Sequence, residues 1–284
     1  LANRWGITLA PQVSNADAQD WINRVYANGG TVSTATAAAV NTFCNDIDAA
    51  SLRSKFFRLN LFCGSGTSVT SHGVVVPLYR GASLGGTQYG NATDTPNAFA
   101  LSDFSETLGV LGNASCYMTT GLAPSAVPSS ATSHHMAAWK GAGSSASQRL
   151  IVAVLDNATT HAYRIGKNGG ASGSLFTEVG SLSGATSSSA ATNDTAGFLV
   201  GSRTSSTLLE LMWKGSVVAT YTTSVSSTPP TNGYDVFAMS PGHNGNWPLR
   251  LGGYSIGAGL SSTEAATYDS IMSSFQTSLG RGAS

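Results

Sequence analysis

From residue 65 to about residue 260, this sequence is a succession of short apolar runs broken every few residues by Gly, Ser, Thr and Asn. Turn residues at that spacing leave no length for helices, whereas strands of five or six residues fit between them. Candidate strands fall at 74–79, 116–122, 134–140, 149–156, 161–166, 174–179, 196–203, 207–213, 216–223, 234–239 and 249–258. Lys214-Gly215 supplies a hairpin turn between Leu208–Trp213 and Val217–Thr222, and Lys167-Asn168-Gly169-Gly170 supplies another. Within these runs Trp139, Phe198, Trp213, Phe237 and Tyr254 fall at alternating positions expected to face a core. The stretch 181–195 reads as a long loop or hairpin tip. Charged residues are only 10% of the chain, against roughly 25% in ordinary soluble domains. The surface must therefore be Ser, Thr, Asn and Gly, which suits pleated strands and tight turns. Eleven short strands predict an antiparallel sandwich or jelly roll.

The flanks differ. Residues 1–14 form an irregular arm with Trp5 and Pro11. Asn15-Ala16-Asp17 then has N-cap chemistry, and Trp21, Ile22, Val25 and Tyr26 recur at helical spacing up to the stop Asn28-Gly29-Gly30. A second helix is expected from Ser33 or Thr34 to about Ala50, with Ala37, Val40, Phe43, Cys44 and Ile47 on one stripe. Leu52–Phe62 continues it with apolar positions at 52, 56 and 59, which makes a small α-helical module over 15–64. At the far end, Ser261-Ser262-Thr263-Glu264 is a capping box that opens a closing helix over 261–279. The sandwich with this helix occupies 65–284.

Fourteen basic and fourteen acidic residues give zero net charge. That excludes the electrostatic footprint of a nucleic-acid binder and favours a chain that lives in an assembly. No apolar run approaches the ~20 residues of a membrane span, and nothing reads as a signal peptide. The absent initiator Met implies a processed chain or part of a longer one. Cys44, Cys63 and Cys116 show no CxxC spacing; Cys44 and Cys63 could pair, or all three could be small buried hydrophobes.

Several stretches carry a family resemblance. They are Asp17-Ala18-Gln19-Asp20-Trp21, Asn28–Ser33, Ala39–Phe43 and Phe56–Phe62. Together they resemble a module of tailed-bacteriophage structural proteins that precedes a concanavalin-A-like or laminin-G-like sandwich. Ser115–Leu122 looks like the first strand of that sandwich, and Gly253–Ser261 with its helix looks like the closing strand and terminal helix. The resemblance implies a homo-oligomeric virion protein on the particle surface, as a fibre, capsid decoration or tail adhesin. Its partners would be other virion proteins, copies of itself and host-surface glycan. Trp5 and Trp21 are the expected assembly contacts.

Chemistry is sparse by comparison. No G-x-S-x-G elbow occurs, and His72, His134, His135, His161 and His243 show no zincin spacing. His134 and His135 are neighbours on one strand and point to opposite faces. The paired carboxylates of sandwich glycosidases are missing; Asp156, Glu178, Glu210 and Asp235 stand singly. Asn91–Asp94 and Asn193-Asp194 read as loop caps rather than calcium ligands. These absences point to a protein that is not an enzyme and needs no metal or other cofactor. The best binding candidate is the loop Ser240–Pro248, where the Trp247 ring could stack on a sugar while His243, Asn244 and Asn246 bond its hydroxyls.

Overall fold

The computed structural model describes residues 9–113, 115–128, 131–142, 149–154, 163–167, 174–180, 185–186, 195–222, 224–225, 228–237 and 249–281. The first helix, α1 (Ala16–Ala27), starts where expected, with the Asn15 side chain accepting from the amides of Asp17 and Ala18. It ends at Gly29, whose φ of +84° suits a residue without Cβ. Helix α2 (Thr34–Ala49) is capped by Ser33. It stops at Ser51, which is forced to a positive φ of 57°.

The next segment departs from expectation. Phe56–Asn60 is a strand, β1, and not a continuation of the helix. All five residues are buried, the polar Arg58 and Asn60 included, so no face is left to solvent, and the apolar positions 52, 56 and 59 matched a helical stripe by coincidence. The expected strand at 74–79 is also absent. Gly73–Val75 is a 3₁₀ turn, and Tyr79 makes a single bridge to Leu59. Side chains take the carbonyls that a partner strand would have used. Trp21 Nε1 donates to Val76 O at 2.9 Å, and Arg24 donates to Pro77 O and Leu78 O at 2.7 and 2.8 Å.

The remaining strands, in chain order, are β2 (Thr95–Asn97), β3 (Phe104–Ser105), β4 (Gly109–Gly112), β5 (Tyr117–Thr119), β6 (His134–Lys140), β7 (Arg149–Val154), β8 (Tyr163–Lys167), β9 (Leu175–Val179), β10 (Ala185–Thr186), β11 (Gly197–Ser205), β12 (Leu208–Trp213), β13 (Ser216–Tyr221), β14 (Tyr234–Val236) and β15 (Leu249–Gly257). They form two antiparallel sheets. One runs β13-β12-β11-β6-β15-β4-β3, with β1 also paired to β15, and the other runs β10-β9-β8-β7-β14-β5-β2. The β12–β13 hairpin turns at Lys214-Gly215, both at positive φ, as a tight hairpin demands. The hairpin turn expected at 168–170 and most of the stretch 181–195 lie outside the described residues.

The first sheet is buried on both faces except at its edge strand β13. Its inner face meets the second sheet: the His134 ring stacks on Tyr234 and meets Tyr163 edge-on. Its outer face is covered by α3 (Ser262–Ser278), which begins at the expected capping box, Ser261 with Glu264. Tyr268 on α3 packs against Phe198 and Phe56, with ring centroids 4.7 and 4.8 Å apart, and Phe275 packs on Phe43 of α2. The order of layers is therefore sheet, sheet, α3, α2. Trp139, Phe198, Trp213, Phe237 and Tyr254 are all buried. Cys44, Cys63 and Cys116 are buried and free, so the Cys44–Cys63 bridge does not form. Burial raises the Cys44 and Cys63 thiols to about 12, which leaves them unreactive at neutral pH.

One polar cluster lies inside the sandwich. The Arg58 guanidinium and the Asp94 carboxylate are both fully buried, with Nη2 and Oδ1 2.6 Å apart. Tyr254 Oη donates to Asp94 at 2.8 Å, and Asn60 Nδ2 donates to Asp94 Oδ2 at 2.7 Å and to Val74 O at 2.8 Å. Arg58 Nη1 donates to the carbonyls of Tyr89 and Asn91. Asp94 is thus not the loop cap that the sequence suggested but the counter-ion of a strand. Removing one member strands the other charge in the core. Arg58→Met or Asp94→Asn is expected to lower unfolding stability by about 3–5 kcal/mol in urea titrations. The double replacement Arg58→Met/Asp94→Leu is expected to cost less than the sum of its single changes.

Candidate functional site

The groups with chemical potential are mostly committed to structure. His135 Nδ1 donates to Ala258 O at 2.6 Å, and its Nε2 lies 3.0 Å from Ser255 Oγ. His134 Nε2 lies 2.7 Å from Tyr234 Oη. As expected, the two rings face opposite sides of β6. Glu178 forms a two-point pair with Arg164 at 2.8 and 2.9 Å. Among the described residues no group of three or more His, Cys, Asp or Glu could hold a metal ion. Asp156, His161, Asn193 and Asp194 lie outside the described residues.

So do His243, Asn244, Asn246 and Trp247 of the expected glycan loop, and Trp5 of the arm. Trp21 is described, and its place corrects the expectation of an assembly contact. It is 2% exposed, and its indole N–H is used on Val76 O within the chain, which leaves no ring face for a neighbour.

The strand that leaves the 240–248 loop carries the more telling feature. Leu249 and Leu251 are buried, and alternation turns Arg250 between them to the other face. There a cleft of about 250 Å³ opens, lined by Leu108, Trp139, Ala142, Ala196, Arg250 and Arg281, with backbone from glycines 141, 252 and 280. Trp139 and Ala196, both buried, are part of its lining. Leu108, 49% exposed, is an apolar wall.

The two guanidiniums in this cleft differ. Arg281 is saturated. Its Nη1 donates to Gly252 O at 2.9 Å and Leu61 O at 3.2 Å, its Nη2 to Phe62 O at 2.7 Å and Glu106 O at 2.9 Å, and its Nε to Thr107 O at 3.0 Å. Burial pushes it down to about 10, and its task is to pin the residues after α3 to the sheet. Among the described residues the Arg250 side chain has one hydrogen bond, Nη1 to Gly109 O at 3.5 Å, which is at the limit of such a bond. It belongs to none of the described ion pairs. Partial burial lowers its pKa, and the nearby Asp103 carboxylate, which forms no ion pair with it, offsets only part of that effect. A half-buried fork with free donors beside an apolar wall suits a flat acidic ligand. A second cleft, about 270 Å³, lies between α2 and α3; Asp46 is its one charged lining residue, amid alanines, serines and Phe275.

The sequence carried a partial signal for Arg250, the alternation Leu-Arg-Leu directly after the loop singled out for sugar contact. Nothing marked Leu108 or Trp139 as its neighbours. They come from β6 and from the link between β3 and β4, brought together only by the sheet order β6-β15-β4.

No protein-family model and no curated protein matches the sequence. Solved structures do match in fold. The chain is similar to Trypanosoma rangeli sialidase in complex with 2,3-difluorosialic acid, at 10% identity and a TM-score of 0.52, covering 82% of this chain and 38% of that one. It is similar to a mutant of HCR/D at 8% identity and a TM-score of 0.52, covering 78% of this chain and 53% of that one. A botulinum neurotoxin DC binding domain in complex with SialylT aligns over 55% of this chain at a TM-score of 0.40, too low to weigh. The chain thus spans about two-fifths to half of the chains with a TM-score of 0.52. These likenesses support an antiparallel β-sandwich, and they correct the expectation that the chain is not an enzyme. An architecture that occurs in sialidases is no argument against catalysis.

Burial also makes a prediction about pH. It drives His134 down to about 3 and His135 to about 4, from 6.5. A lowered folded-state value means that the unfolded chain binds these protons first. The stabilisation is complete above pH 6.5 and is lost as pH falls toward 4, with a limiting slope of about 2.7 kcal/mol per pH unit for two protons. Urea unfolding between pH 7 and pH 4.5 is expected to show this fall, and His135→Gln is expected to halve its slope.

Proposed function

We propose that this chain is a carbohydrate-binding β-sandwich that takes an acidic sugar in the cleft beside Arg250. The observation that carries this reading is the Arg250 guanidinium, half-buried, with most of its donors unused by the described residues. A planar fork pairs a carboxylate through two parallel hydrogen bonds, while Leu108 and Trp139 add apolar lining for the body of a sugar ring. The fold likeness to a sialidase that holds 2,3-difluorosialic acid supports this class of ligand. His243, Asn244, Asn246 and Trp247, singled out in the sequence for sugar contact, directly precede this strand in the chain and belong to the same proposal.

Titration calorimetry with a sialylated trisaccharide and with its desialylated core tests the idea. The acidic glycan is expected to bind and the neutral core to bind at least tenfold more weakly. Arg250→Ala is expected to weaken the acidic glycan roughly 10- to 100-fold, the scale of a charge-assisted hydrogen bond. Equal affinities for the two sugars, or an unaffected Arg250→Ala protein, would sink the reading.

A role on a bacteriophage particle, in assembly or as a host-attachment adhesin, rests on the sequence resemblance at Asp17–Trp21, Phe56–Phe62 and Gly253–Ser261. In that setting repeated copies would turn weak single contacts into useful avidity. Antibody labelling of intact particles tests it; label confined to lysate protein would remove it.

A further inference from the structure

The inner face of the sandwich holds a second buried guanidinium, Arg203 on β11, and its circumstances differ from those of Arg58. Both are fully buried, but Arg58 has the Asp94 carboxylate and Arg203 is in none of the described ion pairs. Arg203 reaches across the gap between the sheets. Its Nε donates to Val179 O on β9 at 3.0 Å, and its Nη1 donates to Ser205 O at 3.3 Å and Ser206 O at 3.1 Å. Its Nη2 is buried and has no partner. The titratable side chains that face it electrostatically are Tyr163 and Tyr221, neutral phenols at physiological pH.

Two more unpartnered buried atoms lie in the same region. His134 is directly opposite Arg203 in the β6–β11 register, and its Nδ1 has no partner. In the tautomer in which Tyr234 Oη donates to Nε2, that Nδ1 carries the ring proton and is a donor, and an anion beside it selects this tautomer. Thr177 on β9 is two residues before Val179, on the same inward face. Its Oγ1 sits where a Cβ would be on Gly201, two residues before Arg203, and it too has no partner. Register thus sets a cationic fork, an imidazole and a hydroxyl on neighbouring inward positions of β11, β6 and β9, all from fully buried residues.

Each orphaned donor in a low-dielectric interior costs of the order of 1–3 kcal/mol, and an uncompensated guanidinium costs more. Water can satisfy donors but cannot neutralise the charge. A buried positive charge with an unpartnered donor, beside the exposed turn at Ser205 and Ser206 through which an ion could enter, suits a small anion better than water. We propose that the interior of the sandwich binds a halide ion, chloride under physiological conditions, held by Arg203 Nη2 and flanked by His134 Nδ1 and Thr177 Oγ1. The ion is the missing counter-charge of Arg203, so it joins β11 and β6 of one sheet to β9 of the other. This site is separate from the Arg250 cleft and stands whether or not that cleft binds sugar.

Crystals of the full chain soaked in sodium bromide are expected to give an anomalous peak at the bromine edge within hydrogen-bonding distance of Arg203 Nη2. In solution, thermal unfolding in sodium chloride is compared with sodium gluconate at equal ionic strength. Above the dissociation constant, each tenfold rise in chloride is expected to raise the folding equilibrium constant close to tenfold. Arg203→Met is expected to abolish the difference between the two salts. Should that variant fail to fold, Thr177→Val, which keeps the shape and removes one donor, is expected to reduce it. Coincident unfolding curves in the two salts, or a site near Nη2 occupied by water alone with no bromide signal, would overturn the proposal.

Discussion

The ion pair between Arg58 and Asp94 is the contact on which the rest of the fold leans. Arg58 lies on β1, which pairs with the central strand β15 of one sheet, and Asp94 immediately precedes β2 of the other. Between them runs a long connection of residues 61–93 with little regular structure, and the pair anchors its two ends. A loop of that length loses much entropy on closure, and its backbone groups need partners inside the molecule. The network supplies them: Asn60 takes Val74 O, Arg58 takes the carbonyls of Tyr89 and Asn91, and Asp94 N donates to Val75 O at 2.7 Å. A buried pair of this kind gains little over an apolar core of the same shape, but it admits only one arrangement of its partners.

The covering of the first sheet follows from its strands. With β1 docked on β15, Phe56 points to the outer face, where Tyr268 of α3 meets it, and α2 closes over α3 through Phe43 and Phe275. Arg281 then locks the residues after α3 onto carbonyls near β1 and β4. That lock forms one wall of the Arg250 cleft. The cleft is thus a by-product of how the chain's end is fastened, and a weakened fastening would reshape it. The second sheet has no helical cover among the described residues, and its outer face carries ion pairs such as Arg164–Glu178.

Three arginines in one small domain show how context sets the role of a single side chain. Arg58 has a carboxylate, Arg281 has carbonyls, and Arg250 has almost nothing and faces a cleft. The same fork is a structural tie in the first two cases and a candidate ligand contact in the third, and the difference lies in the number of donors left over. Arg203 falls between these cases, tied on two nitrogens and unsatisfied on the third.

Sequence alone determined what depends on near neighbours. The caps at Asn15, Ser33 and Ser261, the hairpin at Lys214-Gly215, the strand texture after residue 65 and the opposite facing of His134 and His135 all follow from local chemistry and a period of two or 3.6. It misread Phe56–Asn60 and 74–79 because strand or helix there was decided by distant groups: β15 offered an edge to the first, and Trp21 and Arg24 took the carbonyls of the second. Trp21 looked available for assembly because burial is not visible in a helical stripe that continues onto another layer. The Arg58–Asp94 pair, 36 residues apart, the Arg250 cleft and the orphaned Nη2 of Arg203 exist only once strands from distant parts of the chain are set side by side. Charge compensation depends on which groups share a space, and only the tertiary structure decides that.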